Sequence, residues 1–243
     1  MYTITKININ VIKSYSVHVF TTMGIVCGIF AVKALFEENL DIVFLWLGIA
    51  LLIDGTDGFF ARKYQVTKFA PRINGVILDA IVDFFNYVIL PVLIILQIGF
   101  LTDQIELLAV ILILCASCYT FANIKQKAED NYFNGFPAIW NVLVLDFYIF
   151  NSPQIINFIA IILCFAFTFM PIKFVHPLRV KSYKWLAIAS FSLWGISTLF
   201  LLFAFDDKNS MYYISYYAWI LSNIFIMLCS IIRTIYDIRK VSD

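Results

Sequence analysis

Charge is scarce in this chain: of 243 residues only 14% are Asp, Glu, Lys or Arg, against roughly a quarter in an ordinary soluble domain. That scarcity argues against a water-soluble globule. The 17 basic and 16 acidic residues leave a net charge of +1 with no basic block, so nothing makes an electrostatic footprint for nucleic acid. Long acidic, Pro-rich, Gly-rich and Ser-rich runs are missing, so composition does not suggest a disordered tail. Internal repeats are missing too, which removes support for an inverted-repeat transporter. The five cysteines, Cys27, Cys115, Cys118, Cys164 and Cys229, are odd in number and sit in apolar runs. They read as small packing residues rather than a disulfide framework. Cys115 and Cys118 form a C-x-x-C, but no second ligand pair accompanies it. No small-x-small exit site follows the first apolar run, so that run is expected to stay in the protein.

Apolar runs are what the chain has, with 62% hydrophobic residues. A bilayer span needs about 20 mostly apolar residues. Eight such segments can be drawn, at 15–35, 41–60, 75–100, 106–124, 137–150, 155–170, 183–205 and 212–235. The fifth and sixth are short and divided only by a turn at Pro153. The expected fold is an all-α integral membrane protein, a single membrane domain over 1–243. Residues 1–13 suit either a short interfacial helix or a frayed tail. An even number of spans puts both termini on one side. Basic residues gather in cytoplasmic loops, and 15 of the 17 lie in segments that share that side. Only Lys33 and Lys208 fall opposite, where the breaks are acidic. Both termini are therefore expected in the cytoplasm.

Four carboxylates lie where a membrane disfavours them. The second span ends Asp54-Gly55-Thr56-Asp57-Gly58-Phe59-Phe60-Ala61-Arg62, and the third begins Gly75-Val76-Ile77-Leu78-Asp79-Ala80-Ile81-Val82-Asp83. On a helix Asp54 and Asp57 are about 60° apart and Asp79 and Asp83 about 40° apart, so each pair shares one face. Two neighbouring helices can then aim four carboxylates into one space, where mutual repulsion demands a positive partner. Arg62 alone cannot neutralise them. Hard divalent cations, Mg²⁺ or Mn²⁺, take oxygen ligands, and two together would clamp a phosphoryl group. Gly58 and Gly75 leave room beside the carboxylates for a ligand. Structural carboxylates paired with loop Lys and Arg, or an ion path through a channel or transporter, are the competing readings.

The pattern D-x-x-D-G-x-x-A-R, a spacer, then G-x-x-x-D-x-x-x-D resembles the signature of the CDP-alcohol phosphatidyltransferases. Asp54, Asp57, Gly58, Ala61, Arg62, Gly75, Asp79 and Asp83 fill all its positions, which makes 54–83 the expected catalytic region. The resemblance implies a six-helix core plus two further helices, and a homodimer. It makes Asp54, Asp57 and Asp79 ligands of two divalent metals, and Asp83 a ligand that is also the general base. Gly58, Ala61 and Gly75 would line the nucleotide cleft with Arg62 near it, and Thr21 and Arg179 would meet the CDP-diacylglycerol donor. The spacer, residues 63–74, is longer than in most of the family.

Further segments are similar to the bacterial branch of that family that uses choline: Val17-His18-Val19-Phe20-Thr21, Gly135-Phe136-Pro137-Ala138-Ile139-Trp140-Asn141, and Phe174-Val175-His176-Pro177-Leu178-Arg179-Val180. Asp83-Phe84-Phe85-Asn86-Tyr87-Val88 is similar as well, although Tyr more often follows the aspartate there. This likeness implies transfer of phosphatidyl from CDP-diacylglycerol to choline in a bacterial inner membrane, with the site facing the cytoplasm. A quaternary ammonium is best held by aromatic faces, and Tyr87, Tyr132, Phe136 and Trp140 are candidates, with His18 and Asn141. Serine, inositol or a glycerol phosphate remain alternative acceptors. With 43 aromatic residues in the chain, most must face lipid or pack. Asp146, inside the fifth span, is expected to face protein or water rather than lipid. Pro91 is expected to disturb the third helix, because it cannot donate to the carbonyl of Tyr87.

Overall fold

Three of the first four helices start where an asparagine side chain closes the first turn. In the computed structural model, which describes residues 8–124, 132–175, 180, 183–203 and 209–242, Asn8 caps α1 (Ile9–Phe36), accepting from the Asn10 amide. Asn39 accepts from the Ile42 amide at the start of α2 (Leu40–Lys63). Asn74 accepts from the amides of Val76 and Ile77 at the start of α4 (Gly75–Phe84). These side chains satisfy amide groups that a helix start leaves without carbonyl partners. Between α2 and α4 lies the short α3 (Val66–Phe69), entered through Gln65 in the left-handed region at φ 49°.

The remaining elements are α5 (Leu90–Ile98), α6 (Asp103–Ala122), β1 (Tyr132–Asn134), α7 (Trp140–Phe150), α8 (Gln154–Thr168), β2 (Lys173–Val175), α9 (Lys184–Phe203) and α10 (Ser210–Ser242). Six helical stretches are long and apolar enough to cross a membrane: Ile9–Phe36, Leu40–Lys63, Gly75–Ile98, Gln104–Ala122, Lys184–Phe203 and Ser210–Arg239. The protein is an all-α, multi-pass membrane protein. The expected fifth and sixth spans appear as α7 and α8, whose 11 and 15 residues fall short of a full crossing. Ile9 to Ile12 form the first turn of α1, and residues 1–7 lie outside the described residues.

Packing divides the chain into two compact units, residues 1–90 and 91–243. In the first, α1 runs beside α2 and also meets α3, α4 and the turn that follows α4. Close approach to α4 depends on Gly24 and Gly28. A Cβ on Gly24 would stand 2.7 Å from Val82 Cγ1, and one on Gly28 would stand 2.6 Å from the Phe85 ring while striking Asn86. Two glycines one turn apart let helix backbones come this near. At the other end of α1, Val17 packs with Val66 and Ala70, and the Ser14 hydroxyl donates to the Tyr64 carbonyl at 2.8 Å.

After α4 the winding widens into a π-helical turn, Phe85–Ile89, where the Leu90 amide bonds the Phe85 carbonyl five residues back. The disturbance expected at Pro91 takes this form. Since Pro91 has no N–H to offer Tyr87, the ladder is already broken there and a wider turn costs less.

In the second unit, Trp140 Nε1 donates to Ser117 Oγ at 2.8 Å, and Asn157 Nδ2 donates to the Phe100 carbonyl at 3.1 Å. A two-stranded antiparallel ribbon pairs Tyr132 with Val175, Phe133 with Phe174 and Asn134 with Lys173. The all-α expectation did not include it. Strands of three residues carry too little alternation to be read from sequence. The ribbon is fastened to α10 by amide donation from Lys173 to Thr234 Oγ1 at 2.9 Å and from Val175 to Ser230 Oγ at 3.0 Å. Arg233 lies over the rings of Tyr132 and Tyr236 and pairs with Asp237 at 3.0 Å. Gly135 leaves the ribbon at φ 80°, where a Cβ would stand 2.5 Å from the Thr168 carbonyl oxygen. Of the cysteines Cys27 is buried, Cys115 and Cys118 are exposed, and all five are free thiols.

Candidate active site

The spacing of three between Asp54 and Asp57 places both on one side of α2, and the spacing of four does the same for Asp79 and Asp83 on α4. The fold brings the two faces together within the first unit. Asp54, Asp57 and Asp79 each offer a carboxylate oxygen, and these atoms all lie within 4.8 Å of one another. Asp83 lines the same cleft, with Thr21, Val82 and Asn86, but stands outside that group of three oxygens. The motif prediction of a convergent carboxylate site is thus realised as three close oxygens with a fourth carboxylate beside them.

Two of these carboxylates accept hydrogen bonds from buried hydroxyls. Thr21 Oγ1 lies 2.7 Å from Asp57 Oδ2 and 3.3 Å from the Val17 carbonyl. A hydroxyl has one proton, and the short bond to the carboxylate is the stronger claim on it. Asp57 is only 7% exposed, so this donor also offsets part of the cost of burying the charge. Tyr87, in the π-helical turn, donates from its hydroxyl to Asp54 Oδ2 at 2.9 Å. Neither bond could be foreseen from sequence, because the partners are 36 and 33 positions apart.

Asn86 is almost fully buried, and its Nδ2 donates to the Gly24 carbonyl at 3.0 Å. Because Gly24 offers an acceptor, the amide must face it with nitrogen, which leaves Oδ1 turned toward Gly28 without a hydrogen-bond partner. His18 is buried one turn before Thr21, and its Nε2 also lacks a partner. Its ring lies next to Gly75, where a Cβ would meet Cε1 at 3.4 Å. Gly58 is half-buried just after Asp57, and Ala61 packs on the cluster of Val17, Val66 and Ala70. Arg62 is exposed in the last turn of α2.

The other candidates belong to the second unit. Tyr132, Phe136, Trp140 and Asn141 are all buried there. Phe136 meets Trp140 edge-on at 4.8 Å and Phe174 at 5.8 Å. Tyr132 shares a 2.6 Å hydrogen bond between hydroxyls with Tyr183, and Asn141 Oδ1 is buried without a partner. Arg179 and His176 lie outside the described residues.

Asp146 on α7 has its Oδ1 buried in protein, as expected, and that oxygen has no hydrogen-bond partner. Burial of an unsatisfied polar atom costs about 1–3 kcal/mol. Asp146→Leu, which removes the unsatisfied oxygen and keeps much of the volume, should therefore raise the thermal midpoint of the detergent-solubilised protein. A fall in the midpoint would show that the carboxylate makes an interaction the stability of the fold depends on.

Comparison with known proteins agrees with this geometry. A family profile described as CDP-alcohol phosphatidyltransferase matches residues 17–172, which include the whole carboxylate cluster. The phosphatidylcholine synthase of Pseudomonas aeruginosa is 39% identical over 194 residues, covering 80% of this chain and 82% of that protein. The phosphatidylcholine synthase of Borreliella burgdorferi is 36% identical over 181 residues, 74% of this chain and 77% of its own. That of Rhizobium meliloti is 34% identical over 191 residues, 79% of each.

Proposed function

Because the chain belongs to the CDP-alcohol phosphatidyltransferase family, we propose that it transfers a phosphatidyl group from CDP-diacylglycerol to choline, giving phosphatidylcholine and CMP, with a divalent cation bound at the aspartate cluster. One observation carries the reading. Three carboxylate oxygens from two helices converge within 4.8 Å, and a fourth carboxylate lines the same cleft. The choice of choline is supported by relatives from three bacteria that are named phosphatidylcholine synthase.

The residues present fit a hard cation: the donor set is all oxygen, anionic and clustered, and Asp57 is buried with a neutral hydroxyl as its partner. Asp54, Asp57 and Asp79 would hold it, and Asp83 lines the same cleft beside them. When bound, such cations, Mg²⁺ or Mn²⁺, offset the charge of the diphosphate and of the departing CMP. Asp83 orients the choline hydroxyl and takes its proton as the oxygen forms a bond to the phosphatidyl phosphorus and the bond from that phosphorus to the CMP oxygen breaks. Gly58, Ala61 and Gly75 border the nucleotide, and Arg62 and Thr21 serve the donor. The quaternary ammonium meets the aromatic face of Tyr87 beside the cleft, with a polar edge from His18. The enzyme works as a homodimer in a bacterial inner membrane, with both termini and the cleft on the cytoplasmic side.

Purified protein supplied with CDP-diacylglycerol and a panel of labelled alcohols is expected to label phosphatidylcholine and release CMP. EDTA should abolish the reaction, and Mg²⁺ or Mn²⁺ should restore it. Incorporation of serine, inositol or glycerol phosphate instead of choline would replace the acceptor but keep the chemistry. Ion flux through liposomes without CMP release would sink the enzyme reading altogether.

A further inference from the structure

The α2 carboxylates are gripped from two sides by residues outside the motif. Tyr87 reaches Asp54 from the π-helical turn, and Thr21 reaches Asp57 from α1, at 2.9 Å and 2.7 Å. We propose that Tyr87 and Thr21 are positioning residues that fix the orientation of Asp54 and Asp57 for the divalent cation. The proposal rests on the metal reading above and assigns to it two residues that the signature does not contain.

Three features of these bonds favour this role over packing alone. First, both donors are neutral. A Lys or Arg at the same place would orient a carboxylate equally well but would repel an incoming cation and compete for the same charge. Second, each bond engages Oδ2 and so stops the carboxylate rotating, which sets where its other oxygen points. Third, both donors are themselves held. Tyr87 and Thr21 are 5% and 7% exposed, and the neighbour of Tyr87, Asn86, is tied to the Gly24 carbonyl at 3.0 Å.

The π-helical turn has a place in this scheme. Its wider winding changes the angular step from Asp83 to Tyr87 and so decides which carboxylate the hydroxyl can reach. An α-helical continuation would give that hydroxyl a different direction. The same turn presents Asn86 to α1, the helix that carries Thr21, and so ties the element that carries one grip to the element that carries the other.

The test is Mn²⁺ binding by the full-length protein in detergent, without substrate, followed by loss of the free-ion electron paramagnetic resonance signal. Tyr87→Phe and Thr21→Val remove one hydroxyl each and keep most of the volume. Each is expected to weaken Mn²⁺ binding about 10–100-fold, and Thr21→Ser is expected to bind like the unsubstituted protein. An affinity within twofold of the unsubstituted protein for both Tyr87→Phe and Thr21→Val overturns the proposal, even if their thermal midpoints fall. Should Tyr87→Phe fail to fold, the Thr21→Val and Thr21→Ser pair decides alone: loss with Val and recovery with Ser supports positioning, and equal affinities refute it. Failure of the unsubstituted protein to bind Mn²⁺ would overturn the metal reading itself, a different failure visible in the first titration.

Discussion

Asp83→Asn is expected to lower turnover by roughly 10²–10⁴-fold, the usual contribution of a general base, while leaving Mn²⁺ and CDP-diacylglycerol affinity within a few-fold of the unsubstituted protein. Asp54→Asn should instead lose metal and donor binding together. The contrast follows from position. Asp54 is one of the three carboxylates whose oxygens converge within 4.8 Å, whereas Asp83 lines the cleft beside that group. An Asn at 83 keeps the shape and an oxygen acceptor but cannot take the choline proton at neutral pH. Single-turnover release of CMP measures the chemical step, and equilibrium binding of donor and Mn²⁺ measures the rest. If donor affinity falls equally in both variants, Asp83 serves mainly as a ligand and the proton goes elsewhere.

The carboxylate site was legible because helical periodicity fixes faces without knowledge of the tertiary fold. Residues three and four apart share a side, so Asp54 with Asp57 and Asp79 with Asp83 could be paired on paper. The six long helices were legible for a similar reason, since a bilayer forces a run of about 20 apolar residues. Where lengths fall short of that rule, reading from sequence lost precision. The segments at 137–150 and 155–170 are apolar, but their helices, Trp140–Phe150 and Gln154–Thr168, are too short to count as full spans.

What escaped was cross-helix chemistry. Nothing local to Tyr87 says that its hydroxyl finds Asp54 rather than choline or lipid, because the answer depends on the winding of Phe85–Ile89 and on the distance between α2 and α4. The bond from Thr21 to Asp57 likewise depends on the packing of α1 on α2. One local signal does bear on this packing. Gly24-x-x-x-Gly28 is a small-xxx-small pattern within an apolar helix, the mark of a close helix contact. It locates the face of α1 that meets α4, and Thr21, one turn before Gly24, lies on the same side.

That contact gives the second large effect. Gly28→Leu should destabilise the protein by about 1–3 kcal/mol or more, the usual cost of overpacking a close-packed interface, and should abolish activity although residue 28 touches no substrate. A Cβ there already strikes Asn86 and would lie 2.6 Å from the Phe85 ring, and both neighbours belong to the π-helical turn rather than to a loose end. Neither can yield without shifting the turn that carries Tyr87, so α1 itself must move away, taking Thr21 from Asp57. Gly48→Ala supplies the contrast. A Cβ on Gly48 meets nothing within 4 Å, so the substitution adds a helix-favouring residue to α2 with no clash and should leave activity intact while holding or raising the thermal midpoint. Thermal midpoints of the purified variants, read beside CMP release, separate the outcomes. Gly28→Leu with a normal midpoint and normal turnover would mean that α1 is not seated against the π-helical turn in the membrane, and the assignment of Thr21 to the site would have to be given up with it.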